Sequence, residues 1–132
     1  LRFALLHDWP EVRVGDLPRT ASLYFGSEAR KHAEGAALTD MTAALSETVA
    51  VKYRELHAAY ERRESVESRL VKAADIIDLL VQTLAFERAG ARGLDEFWEN
   101  TEGMDFKLDG PAAEVVAEAL RELAAARASL TK

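Results

Sequence analysis

Apolar positions recur at helical spacing along most of this chain. Leu70, Ala74, Ile77, Val81 and Leu84 fall at intervals of three and four, as one stripe of a 3.6-residue helix would. No stretch alternates apolar and polar residues with the period of two that a half-buried strand needs. Prolines stand only at positions 10, 18 and 111, and the stretch between the last two is rich in Ala, Leu, Glu and Arg, all strong helix formers. The pattern predicts an all-α chain.

Individual elements follow from the punctuation. Leu1–Asp8 reads as the end of a buried helix, stopped by Pro10 because the residue before a proline avoids the helical region. Pro10–Phe25 reads as turn-like, with Gly15 and Pro18 inside it. Ser27 is the expected N-cap of a helical stretch from Glu28 to Arg63, broken near Ser46. Ser65 is expected to cap the next helix. Glu67 falls in its first turn, Ser68 stands where a capping box would have Glu or Gln, and Gly90 ends the helix after Ala89. Leu94–Glu99 forms a short helix, Thr101–Gly110 a loop, and Pro111–Leu130 a last helix with proline near its first position.

Composition narrows the function. The chain has 132 residues, 48% of them hydrophobic and 30% charged, enough for one globular domain over 1–132. It has no cysteine, which excludes disulfides, thiolate metal sites and cysteine nucleophiles. The net charge is −6 and no Lys/Arg block occurs, so a nucleic-acid polymer is not an expected partner. Apolar runs are short and broken by charge, so no membrane span is expected. There is no glycine-rich phosphate loop, no G-x-S-x-G and no H-E-x-x-H.

Four places carry candidate chemistry. His7-Asp8 ends the apolar run Phe3–Leu6, and imidazole with carboxylate suits Mn, Co, Fe or Zn. Such dipeptides more often face solvent at a helix end, with the Asp capping a turn. Glu11 and Asp16 follow around a turn at Gly15, where three carboxylates in nine positions could converge on one site or simply be solvated. Asp75 lies off the Leu70–Leu84 stripe but is flanked by Val71, Leu79 and Phe86. It is either a carboxylate inside a second packed face, costly unless paired or metal-bound, or a surface partner of Lys72. His32 reads as exposed, and His57 as a partly buried structural histidine.

The run Ala4-Leu5-Leu6-His7-Asp8-x-x-Glu11-Val12-x-x-Gly15-Asp16-Leu17-Pro18, followed by Tyr24-Phe25, resembles the HD-domain phosphohydrolases, and most of all their bacterial 5′-deoxynucleotidase group. Leu70-Val71-Lys72-Ala73-Ala74-Asp75 is similar to the family's distal K-x-A-D element, and Glu87-Arg88 with Leu94–Trp98 to the wider nucleotidase group. The resemblance covers about half the chain. It implies an HD-domain helical bundle in which His7, Asp8 and Asp75 ligate a divalent metal (Mn, Co, Fe, Mg or Zn), Glu11 is the catalytic carboxylate and Asp16 lies beside the substrate sugar. It also implies a first metal-binding His and an Arg-Trp substrate contact upstream of His7, and the expectation is that those N-terminal helices are missing from this sequence. The implied activity is removal of the 5′-phosphate from deoxyribonucleoside 5′-monophosphates by a cytoplasmic homodimer. Triphosphate release from a deoxynucleoside triphosphate is the alternative within the superfamily, and an inactive helical oligomerisation module the alternative outside it.

Overall fold

The computed structural model describes residues 1–101 and 103–130, without the side chains of Arg19 and Thr20. The expected Thr101–Gly110 loop therefore lies partly outside the described residues, at Glu102. All regular structure among the described residues is helical: α1 Arg2–Leu6, α2 Glu11–Val14, α3 Arg19–Met41, α4 Glu47–Arg62, α5 Val66–Arg88, α6 Asp95–Glu99 and α7 Gly110–Ala128. The chain divides into two compact units, Leu1–Glu64 and Ser65–Lys132.

In the first unit α1 packs on α4, while α2 and α4 pack on α3. Leu38, Ala50 and Tyr60 are its buried apolar residues, joined by Pro10, Thr42 and Glu34. The expectation of a buried helix at Leu1–Asp8 is corrected: α1 buries none of its residues, and Leu1 and Leu5 are 92% and 70% exposed. So short a helix can turn only one side inward. Here that side carries Phe3 and His7, whose rings lie 5.9 and 5.1 Å from the Tyr60 ring. The segment 10–25 is more helical than its prolines and Gly15 suggest. Pro10 precedes α2, whose first turn needs no donor from it, and α3 begins directly after Pro18. Gly26 interrupts α3 with φ 77° and ψ 159°, a conformation that glycine adopts without a side-chain clash. The break thus falls one residue before the expected cap, Ser27.

In the second unit α5 packs on α6 and α7. Ser65 caps α5 as expected: its Oγ accepts the Ser68 N–H at 3.1 Å, while the Ser68 hydroxyl donates back to the Ser65 carbonyl at 2.8 Å. That hydroxyl donates to a carbonyl and does not accept the Ser65 N–H, so the reciprocal half of a capping box is absent, as Ser68 in place of Glu or Gln implies. The buried face of α5 is Ser68, Ala73, Ile76, Leu80, Thr83 and Leu84. This corrects the stripe read from sequence, since Leu70 and Val81 are 40% and 50% exposed. The two stripes differ by roughly one residue, about 100° of helix rotation, and α5 is apolar enough on both for periodicity alone to leave the choice open. Ile76, Leu80, Leu84 and Trp98 form the core, with Phe106, Leu120 and Leu123 packed against it. Trp98 is therefore a core residue. Arg127 clasps the edge of this core, donating to Glu87 Oε1 at 3.1 Å and to Asp95, with its guanidinium 4.9 Å from the Trp98 ring. Partial burial works against the charge of Arg127, but its bonds to Glu87 and Asp95 outweigh that and raise its pKa.

Candidate metal centre

His7 follows the last residue of α1, and the helix end decides its tautomer. Its Nδ1 lies 3.2 Å from the Ala4 carbonyl oxygen, which can only accept, so Nδ1 carries the hydrogen. The other nitrogen, Nε2, then presents its lone pair, and it lies 3.0 Å from Asp8 Oδ2. Two electron-rich atoms at that distance need a shared proton or a nearby cation. A ligating histidine commonly shows this arrangement, with one ring nitrogen fixed by a backbone carbonyl and the other turned to the ion. The imidazole side chain is 14% exposed and the Asp8 side chain 55%, so the pair has a protein side and an open side. The donor set therefore fits a divalent metal of intermediate softness.

Glu11 opens α2, one turn after Asp8. Its backbone N–H bonds to the Asp8 carbonyl at 3.0 Å, and its side chain is half-buried. Pro10, fully buried, holds this corner rigid. The chain then turns at Gly15, with φ 77°, and Asp16 follows as an exposed carboxylate. Trp9 and Tyr53 flank the segment with ring centroids 5.2 Å apart. Thus His7 and Asp8 are in contact and Glu11 is adjacent, while Asp16 stands out in solvent beyond the turn.

Asp75 belongs to the second unit, on α5. Lys72 Nζ donates to its Oδ2 at 2.7 Å, both side chains being a little over one-third exposed. The ion pair weighed for Asp75 in the sequence is therefore present. It is worth little where it is, so Lys72 can release the carboxylate at small cost. Asp78 is exposed, as is His32.

Sequence reasoning missed a polar network inside the first unit. Arg30 on α3 donates to Glu34 Oε1 at 2.6 Å and approaches Glu61 Oε2 of α4 at 3.5 Å. Burial penalises the Arg30 charge, but Glu34, Glu61 and then Glu11 more than offset this and raise its pKa. The i,i+4 spacing of Arg30 and Glu34 was a visible signal. That α4 would bring Glu61 to the same place was not.

Comparison with known proteins agrees with the motifs. The HD-domain family model matches residues 1–105. The chain is 33% identical over 106 residues to the 5′-deoxynucleotidase HDDC2 of Danio rerio, covering 78% of this chain and 52% of that protein. It is 29% identical over 105 residues to the Xenopus laevis protein of the same name, covering 78% and 51%. With a 5′-deoxynucleotidase of Saccharomyces cerevisiae it shares 32% identity over 104 residues, covering 74% and 43%. The chain thus spans about half the length of the curated relatives it matches. With the His7-Asp8 pair formed at the end of α1, and the family model matching residues 1–105, this chain belongs to the HD-domain family.

Proposed function

We propose that this protein is a metal-dependent phosphohydrolase that removes the 5′-phosphate from deoxyribonucleoside 5′-monophosphates. The observation that carries the reading is the His7–Asp8 pair, whose Nε2 and Oδ2 face each other at 3.0 Å with Nδ1 committed to the Ala4 carbonyl. Names of relatives support the substrate class, since the similar proteins of frog, zebrafish and yeast are called 5′-deoxynucleotidases.

In this reading His7, Asp8 and Asp75 hold the ion, with both compact units contributing to one HD-type domain over 1–132. Support comes from the family motif and from a family match that covers all three residues. A bound divalent ion would supply charge for the phosphoryl oxygens and acidify a water molecule. The chain's own residues do the rest. His7 offers its Nε2 to the ion, because Nδ1–H is committed to the Ala4 carbonyl. Glu11, held at the rigid corner after Asp8, takes a proton from the attacking water or gives one to the leaving 5′-oxygen, work that contributes roughly 10²–10⁴-fold. Asp16, exposed after the Gly15 turn, accepts a hydrogen bond from a sugar hydroxyl.

The remaining expectations stay with this proposal. The active protein is a homodimer of the cytoplasm, and its partner molecule is a deoxynucleotide, not a nucleic-acid polymer. No helix of the described residues is long and apolar enough to cross a membrane. The test is hydrolysis of deoxynucleoside mono- and triphosphates by the whole protein with Mn²⁺ or Co²⁺. Inorganic phosphate from the monophosphate supports the reading. Triphosphate from the triphosphate alone would move it to the other branch of the superfamily, and no release from either would leave the oligomerisation module.

A further inference from the structure

A second group of metal-type donors lies wholly within the first unit, apart from His7 and Asp8. One carboxylate oxygen each of Glu34 and Glu61 and one ring nitrogen of His57 all lie within 4.8 Å of one another. His57 and Glu61 are one helical turn apart on α4, so both project from one face, and Glu34 comes from α3, which packs on it. Bound to an ion at roughly 2.0–2.2 Å, three such atoms would need to close by about 1.5 Å at most, a rotamer-scale adjustment.

Two features point to a ligand here, beside a Glu34 carboxylate that is only 5% exposed and paired with Arg30. His57 Nε2 is buried without a hydrogen-bond partner, which is unfavourable unless something fills that place. A cavity of about 270 Å³ reaches His57 and Glu61 and offers a way in. The cations around its mouth are engaged with other groups, Lys31 with Glu28 at 3.5 Å and Arg54 with Glu47 at 2.7 Å.

Arginine now stands where an ion would. Arg30 spans Glu34 and Glu61, and Arg63 approaches Glu61 at 3.7 Å while its guanidinium lies over the Tyr60 ring. Neither uses His57, and the Arg30 side chain is 35% exposed, so it can swing outward. We propose that Glu34, His57 and Glu61 form a second divalent-cation site of zinc-like N,O preference, in which the ion replaces the Arg30 guanidinium between the two carboxylates. Arg30 is then a built-in competitor that holds the pocket together when metal is scarce.

Metal binding at this second site does not depend on the proposed activity and is tested without it. The whole protein carrying His7→Ala and Asp8→Asn is stripped of metal and titrated with Zn²⁺ by calorimetry. One Zn²⁺ per chain is expected to bind. Adding His57→Gln should weaken that binding by about tenfold or more. Adding Arg30→Met instead should tighten it, because the competitor is gone. In the parent protein, Zn²⁺ should shift the His57 imidazole nitrogen resonances, a reading that needs no substitution at the site. Failure of the double variant to bind Zn²⁺, unchanged affinity after His57→Gln, or unmoved His57 resonances would each overturn the site.

Discussion

Replacing Leu80 by alanine tests the register of α5, the helix that carries Asp75. Leu80 is 2% exposed and sits in the cluster of Ile76, Leu84 and Trp98, with Phe106, Leu120 and Leu123 packed against it. Leu→Ala in such places costs roughly 2–5 kcal/mol, the larger values where neighbours cannot close the cavity. Leu80 is enclosed by helix α5 itself, Trp98 and the α7 residues, so about 3–4 kcal/mol is expected, a loss of more than 100-fold in the folded-to-unfolded ratio. Val81 supplies the contrast. It belongs to the stripe read from sequence, yet it is 50% exposed. Val81→Ala loses at most about 1 kcal/mol of burial and recovers part of that through alanine's helix propensity. Urea unfolding of both variants in a Trp9→Phe background is followed by the fluorescence of Trp98, which sits in the same core cluster as Leu80. Near-equal costs, or a larger cost for Val81→Ala, would refute the observed face of α5 and with it the side of the helix on which Asp75 stands.

Three further outcomes are expected. Ser65→Ala removes the side chain that accepts the Ser68 N–H and should cost about 1 kcal/mol by the same unfolding assay. Gly15→Ala forces a Cβ onto a residue at φ 77° and ψ 159°, a region essentially confined to glycine, and should destabilise by roughly 1–3 kcal/mol, all of it backbone strain since nothing crowds the position. Glu11→Gln should lower phosphate release by roughly 10²–10⁴-fold while leaving metal stoichiometry unchanged. Loss of the metal in that variant would make Glu11 a ligand instead.

How much was legible in the sequence differs by element. Helix ends marked by local chemistry were readable: Ser65 caps α5, Gly90 follows its last turn, and Pro111 sits in the first turn of α7. Boundaries set by packing were not. Proline and glycine around Pro10–Phe25 suggested a turn, yet a proline in a first turn costs no hydrogen bond, so α2 and α3 form around both prolines. The α5 stripe was misread because both of its candidate faces are apolar, and the choice lies with α6 and α7. The same holds for the site. His7, Asp8, Glu11 and Asp75 could be named because they sit in short motifs. Arg30, Glu34, His57 and Glu61 become a group only when α3 meets α4, 31 positions apart between Arg30 and Glu61.

Metal content and turnover of Asp75→Asn, measured beside those of Asp8→Asn, test the central claim most directly. The whole protein and both variants are equilibrated with Mn²⁺, and bound metal and phosphate release from a deoxynucleoside monophosphate are read from the same samples. One ion held jointly by His7, Asp8 and Asp75 predicts that either substitution removes the same equivalent of Mn²⁺ and abolishes phosphate release with it. Retention of that ion and of turnover by Asp75→Asn would contradict the account, leaving Asp75 as no more than the ion-pair partner of Lys72.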